Sequence, residues 1–185
     1  MTDDIRLARA DDVFPGHIFD ALGVPPLPFD RIGGSVMVVE KRPLDGPITI
    51  ITSGVSRIAT DSGERVELAV EVVDGQQGAA FVALRFVCDE IAKNRRVPPV
   101  LAPWRNGTPF LKGTAISALV VTPSRWGASF DEIRDESGQV VGHVRTLRML
   151  TDGEAAVVSE RGWDALVAAV GTVDELLDVE RPEIA

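Results

Sequence analysis

Ser53 is the first candidate nucleophile in this chain. It stands in Thr52-Ser53-Gly54-Val55-Ser56, directly after the apolar run Ile48-Thr49-Ile50-Ile51. A serine lifted on a strand-to-helix turn is how many hydrolases expose a reactive hydroxyl. Here the Gly-x-Ser-x-Gly pattern is missing, and a polar turn follows instead of a helix. A serine nucleophile also needs an imidazole within hydrogen-bond reach and a carboxylate behind it. The chain has two histidines, His17 and His143, and a lone histidine in a helix or strand is more often structural than catalytic. A small serine hydrolase using Ser53 and a histidine, with His143 as base, is therefore the alternative and not the leading expectation.

Other chemistry is thinner still. Glu67 and Glu71 fall on one face of a strand and could act as paired carboxylates, but an arginine across from them explains them equally well. Asp3-Asp4 and Asp11-Asp12 lack ligand spacing and read as solvated charge. Cys88 is the only cysteine; it falls in an apolar helical stripe and reads as a small core residue. No phosphate-binding glycine pattern appears. The expectation is no metal and no cofactor.

The elements that would position these residues are easier to read. Val66, Leu68, Val70 and Val72 alternate with Glu67, Ala69 and Glu71, which predicts a strand with one buried face and one wet or half-covered face. Ile48 to Ile51 is apolar on both faces, as in an interior strand, and is joined to the next strand through Asp61-Ser62-Gly63. Ser35 to Lys41 is a strand, and the turn 41–47 makes an antiparallel hairpin of it with the following one. Gln77 to Lys93 carries Leu84, Val87, Cys88 and Ile91 at i, i+3, i+4, i+7, the stripe of a helix lying on the sheet. A helix from about Phe14 to Leu22 tolerates Pro15 in its first turn, and Val24 to Ile32 reads as extended loop. Val97 to Thr114, rich in proline and glycine, is a long loop in which Trp104 and Phe110 anchor to the core. Ile116 to Thr122 is an apolar strand, Pro123 to Gly138 a polar excursion, and Val140 to Leu150 a returning strand. In that strand Arg145 and Arg148, three apart, point to opposite faces. Thr151-Asp152-Gly153-Glu154 is a capping box. The helix after it is bent or split at Gly162, and 174–177 adds one more helical turn.

Length and charge bound the rest. The chain has 185 residues, is 45% hydrophobic and only 5% aromatic, so one domain with an aliphatic core is expected. The formal net charge of −9 excludes nucleic acid and anionic lipid as natural partners and favours a basic protein. Residues 1–13 read as a flexible N-terminal segment and 14–182 as the domain. The start is no secretory signal and no window is apolar enough to span a membrane, so the cytoplasm is the expected location.

The ordered segments resemble the bacterial suppressor-of-fused-like domain. The resemblance rests on Ile50-Ile51-Thr52-Ser53-Gly54-Val55-Ser56, on Glu64-Arg65-Val66-Glu67-Leu68-Ala69-Val70, and on a helix followed by a Pro-rich loop with Trp104 and Gly107-Thr108-Pro109-Phe110. The strands Ile116 to Thr122 and Val144 to Thr151 match in place, as does the closing Arg181. The loop departs from the family's Gly-His-Thr, with Asn106-Gly107-Thr108 in its place, and Arg145 and Thr146 replace apolar or aromatic residues. The resemblance implies a single-domain α+β fold, a mixed, mostly antiparallel sheet of about five to seven strands with helices packed on it. It implies a non-enzymatic protein-binding domain, similar to bacterial immunity proteins that neutralise a cognate, here basic, toxin. A homodimeric structural or regulatory protein that binds a transcription factor is a further alternative; a monomer or weak homodimer is expected. Candidate partner contacts are Thr52, Ser53, Gly54, Glu67, Glu71, Trp104, Arg105, Asn106, Thr108, Phe110 and Arg145.

Overall fold

The computed structural model describes residues 13–22, 27–33, 35–43 and 46–183. The flexible segment expected at 1–13 lies outside them, except for Val13, which opens the first helix. The described helices are α1 (Val13–Leu22), α2 (Gln77–Asn94), α3 (Ala128–Asp131), α4 (Asp152–Arg161) and α5 (Trp163–Val170). The strands are β1 (Leu27–Ile32), β2 (Val36–Lys41), β3 (Ile48–Ser53), β4 (Val66–Val72), β5 (Trp104–Arg105), β6 (Ile116–Thr122), β7 (Glu132–Arg134) and β8 (Val140–Thr151). They form one sheet in the order β1-β2-β3-β4-β8-β6-β5, with β7 also paired to β8. Every strand pair is antiparallel except β4 with β8. Eight strands result because two- and three-residue pieces, β5 and β7, add to the six longer ones.

The hairpin β2–β3 and the antiparallel neighbours β3–β4 form as their spacing predicts. The extended loop expected over Val24 to Ile32 is corrected: Leu27–Ile32 pairs with β2 as an edge strand. Pro28 lacks an N–H, which an edge tolerates, and the register slips between Pro28 and Asp30. The polar excursion 123–138 likewise contains α3 and β7.

A second correction concerns β4. Its alternation predicts one buried face and one wet or half-covered face, yet all seven residues are buried. Leu68, Val70 and Val72 face α2, where Leu84, Val87, Cys88 and Ile91 close the main core as the helical stripe predicts. The other face is covered too. Ala69 joins Phe14, Ile18, Ile51, Phe130, Ile133 and Val144 beneath α1 and α3. Ala118, Val120 and Leu150 meet Ala155, Val158 and Leu166 of α4 and α5. Alternation along β8 therefore puts Val144, Thr146, Arg148 and Leu150 on one face, with two polar residues between two separate apolar clusters.

Close packing shows at Gly142 on β8. A Cβ there would lie 2.2 Å from Phe14 Cζ and 2.7 Å from the Arg65 carbonyl oxygen. The capping box forms around Thr151 and Glu154, and Gly162 at φ +88 splits the last helical stretch into α4 and α5.

Candidate functional site

The segment after β3 builds an anion-binding turn and fills it from within. Its one-turn helix at Val55–Arg57 leaves N–H groups without intrahelical partners. Glu67, 1% exposed, supplies the acceptor. Its Oε1 accepts from Gly54 N at 2.8 Å and Ser56 N at 3.2 Å, and its Oε2 from Val55 N at 3.2 Å and Thr52 Oγ1 at 2.7 Å. Burial pushes the Glu67 carboxyl above its ordinary range, and these bonds pull it back only in part. Gly54 stands at φ +129, and a Cβ on it would sit 3.2 Å from the Ser35 carbonyl oxygen, so a larger residue would be strained in this turn.

Ser53 is buried and opposite Met37 in the β2–β3 ladder. Among the described residues it makes no side-chain hydrogen bond to either histidine. His17 Nε2 meets the Phe130 carbonyl oxygen at 2.9 Å, and His143 Nδ1 lies 3.5 Å from Glu64 Oε1. The three parts of a nucleophilic triad are distributed over separate places.

Glu71 and Glu67 share strand parity but not a site. Four residues along a strand separate them by roughly 13 Å, and Glu71 has its own partners. Arg148 Nη1 donates to Glu71 Oε2 at 2.7 Å, and Arg125 Nε donates to the same atom at 3.0 Å. Arg148 Nε reaches Thr122 Oγ1 at 3.3 Å, Trp126 Nε1 reaches Thr49 Oγ1 at 3.2 Å, and Arg125 also binds Asp174. Arg148 of β8 thus belongs to a bonded seam through the second face of the sheet, while the buried Thr146 Oγ1 beside it has no hydrogen-bond partner among the described residues. Sequence reading saw that Arg145 and Arg148 point oppositely, and they do: Arg145 binds Glu64. The arginine expected across from the two glutamates is present for one of them: Arg148 answers Glu71, whereas Glu67 is met by the backbone of the turn after β3, for which residue type gave no signal.

A third internal network holds the chain's end. Arg181 donates to both oxygens of the fully buried Glu154, at 2.8 and 2.6 Å, and to the carbonyls of Met149, Leu176 and Asp178. Gln76 at the start of α2 donates to Asp178 at 2.6 Å and accepts from Val179 N at 2.9 Å. The Gln76 amide is the main reason that the Asp178 carboxyl lies below its usual range.

The 97–114 loop differs from these interior sites. Phe86 of α2 stacks on Trp104 with centroids 4.4 Å apart and on Phe110 at 5.6 Å. Both loop aromatics are thereby riveted to the core, as expected. Main-chain bonds hold the loop elsewhere: Leu101 N to Val121 O at 2.9 Å, Asn106 N to Ser117 O at 2.8 Å, and Phe110 N to Ile116 O at 3.0 Å. Arg105 binds Asp152 at the start of α4, with Nη2 2.6 Å from Oδ1. On this fixed base Val100 and Leu101 are 44% and 45% exposed. Leu101 stands at φ +59, an unfavourable conformation for a leucine. Arg105, Asn106 and Thr108 are exposed as well.

The candidate contacts therefore divide. Thr52, Ser53, Gly54, Glu67 and Glu71 are interior; Trp104, Phe110 and Arg145 are half-buried; Arg105, Asn106 and Thr108 face solvent. Among the described residues no group of three or more His, Cys, Asp or Glu side chains could hold a metal ion, and no helix is long and apolar enough to cross a membrane. A shallow depression of about 400 Å³ beside α1 is lined by His17, Ala128, Ser129, Glu132 and Arg134.

No protein-family model matches the sequence, and no curated protein sequence matches it significantly. Solved structures do. A suppressor of fused homologue from Neisseria gonorrhoeae superposes with a TM-score of 0.66 at 12% identity, over 94% of this chain and 95% of that one. The fold is that of suppressor of fused. A chain of the Sufu–Fu complex has the same suppressor-of-fused fold, at TM-score 0.64 and 14% identity over 91% and 89% of the two chains. Drosophila suppressor of fused matches at TM-score 0.64 and 12% identity; 90% of this chain covers 49% of the fly protein, about half its length.

Proposed function

We propose that this chain is a protein-binding module that performs no reaction of its own. The observation that carries the reading is the contrast between interior and loop. Glu67, Glu71, Arg148, Glu154 and Arg181 are bonded to one another or to the backbone. Val100 and Leu101 stand exposed on a loop already fixed from beneath. A pre-organised loop loses little conformational freedom on binding, so more of its contact energy appears as affinity. A protein of the same fold, in the Sufu–Fu complex, binds another protein.

The finer reading is an immunity protein of the cytoplasm, a monomer or weak homodimer, that neutralises a cognate toxin by direct contact. The toxin is basic, because a net charge of −9 accelerates encounter with a cationic protein. Exposed Val100, Leu101, Arg105, Asn106 and Thr108 form the contact surface. Co-expression with the product of the adjacent gene, followed by affinity purification at low salt, tests this. A stoichiometric complex that weakens as salt rises is expected; recovery of nothing at low salt rejects the reading.

A further inference from the structure

Charge is spread unevenly along this chain. Residues 91–130 hold six cations, Lys93, Arg95, Arg96, Arg105, Lys112 and Arg125, and no Asp or Glu; the rest of the chain holds 13 Lys or Arg against 28 Asp or Glu. Arg125 turns inward to Glu71, and Arg105 is held by Asp152. Lys93, Arg96 and Lys112 are exposed, with no ion-pair partner among the described residues. The exposed apolar side chains of the 97–114 loop lie inside this acid-free tract. Arg96 stands four residues before Val100, and Arg105 four residues after Leu101.

The main chain fixes the tip in place. Leu101 N donates to Val121 O at 2.9 Å, and Val100 bridges to Val121, so the turn is pinned to the end of β6. Leucine at φ +59 is strained. Strain of this kind persists where the surrounding structure imposes it, and it clusters at binding sites. What the turn presents is an apolar knob set among cations. Its complement is a surface of apolar side chains accompanied by carboxylates. The acid-rich remainder of the molecule repels nucleic acid and an anionic membrane.

We propose that the tip formed by Val100 and Leu101 is the seat for an acidic, apolar segment of another protein. The inference rests on the protein-binding reading and adds the chemistry of the partner at the point of contact. Net charge acts on the approach of a basic partner as a whole. At contact, screening over about 8–10 Å leaves the nearest charges in control, and around the tip these are cationic. Apolar side chains of the segment pack on Val100 and Leu101, and its carboxylates meet Arg96 and Lys93.

The test uses purified full-length protein and two fluorescein-labelled amphipathic peptides, one of leucine and glutamate and one of leucine and lysine, followed by anisotropy at low and near-physiological salt. The Leu/Glu peptide binds, and its affinity falls as salt rises. Arg96→Glu weakens that binding by roughly tenfold or more. Leu101→Asn does the same, and asparagine accepts φ +59, so the fold is kept. Arg161→Glu, the same change of charge at an exposed position of α4, has no such effect. Leu101→Asn leaves any binding of the Leu/Lys peptide unchanged. Absence of Leu/Glu binding, or equal binding by wild type and both tip variants, overturns the proposal. So does equal weakening by Arg161→Glu, which would trace the effect to net charge, or loss of Leu/Lys binding in Leu101→Asn. Wild-type dimerisation abolished by Leu101→Asn would make a second copy the occupant. Co-sedimentation of wild type, but not of Leu101→Asn, with anionic phosphatidylglycerol vesicles would make a membrane the occupant; either result equally overturns the proposal. Recovery of a protein partner in the purification above, undiminished by Arg96→Glu and without tip-dependent peptide binding, leaves the protein-binding reading standing and removes this inference alone.

Discussion

Glu67 accepts hydrogen bonds from Thr52 and from three consecutive N–H groups, so Glu67→Gln leaves some of those donors facing an amide N–H₂. A loss of about 1–3 kcal/mol is expected from denaturant unfolding. The pH dependence carries a sign. Because burial raises the folded-state pKa of Glu67, its contribution to stability is complete below the ordinary carboxylate range and is lost as pH rises through the raised value. Glutamine does not titrate, so the gap between wild type and variant is widest in acid and narrows on the alkaline side; a gap that widens with pH would mean that the N–H groups hold the carboxylate ionised. Asp74, Asp135 and Asp178, whose pKa values are lowered, have the opposite sign but are present in both proteins. At the second seam, Arg148→Ala leaves the buried Glu71 with Arg125 alone. It should cost about 3–5 kcal/mol, measured the same way; a cost under about 1 kcal/mol would show that Arg125 suffices. An arginine partner was legible in the sequence and holds for Glu71, but the turn that claims Glu67 was not. Glu67 and Glu71 look like a carboxylate pair until the turn at Gly54 and the β4–β8 alignment give each its own partners.

Elements were more legible than residues because periodicity survives into the fold. The α2 stripe, the β2–β3 hairpin and the capping box at Thr151 all stand where spacing predicts. The faces of β4 did not, since alternation reports one buried face and is silent about what α1 and α3 lay over the other. Leu68 lies between β4 and α2, so Leu68→Ala is expected to cost about 2–5 kcal/mol, and a change under about 0.5 kcal/mol would mean that its side is not core. The β1 edge was hidden for a different reason: prolines mark it as loop, and only an edge position reconciles Pro28 with a strand. Phe86 couples α2 to the loop through Trp104 and Phe110. Phe86→Ala should raise amide hydrogen exchange across 100–110 while leaving β3 and β4 protected; unchanged exchange would show that main-chain bonds alone hold the loop.

For the molecule as a whole, charge, loop and interior point one way. Inside, Glu67, Glu71, Arg148, Glu154 and Arg181 are bonded to partners within the fold, and Val100 and Leu101 lie outside on a fixed support. The sequence could place the loop at 97–114 but not its tip, because nothing in Pro98-Pro99-Val100-Leu101 announces that the leucine will take a positive φ and face solvent. The most direct measurement is the recovery of the cognate protein partner by wild type and by Leu101→Asp. Aspartate tolerates φ +59 better than leucine, so the variant keeps its fold and thermal midpoint while losing the apolar anchor. Protein binding through the loop predicts that recovery falls by roughly tenfold or more; undiminished recovery by an equally stable variant would contradict it.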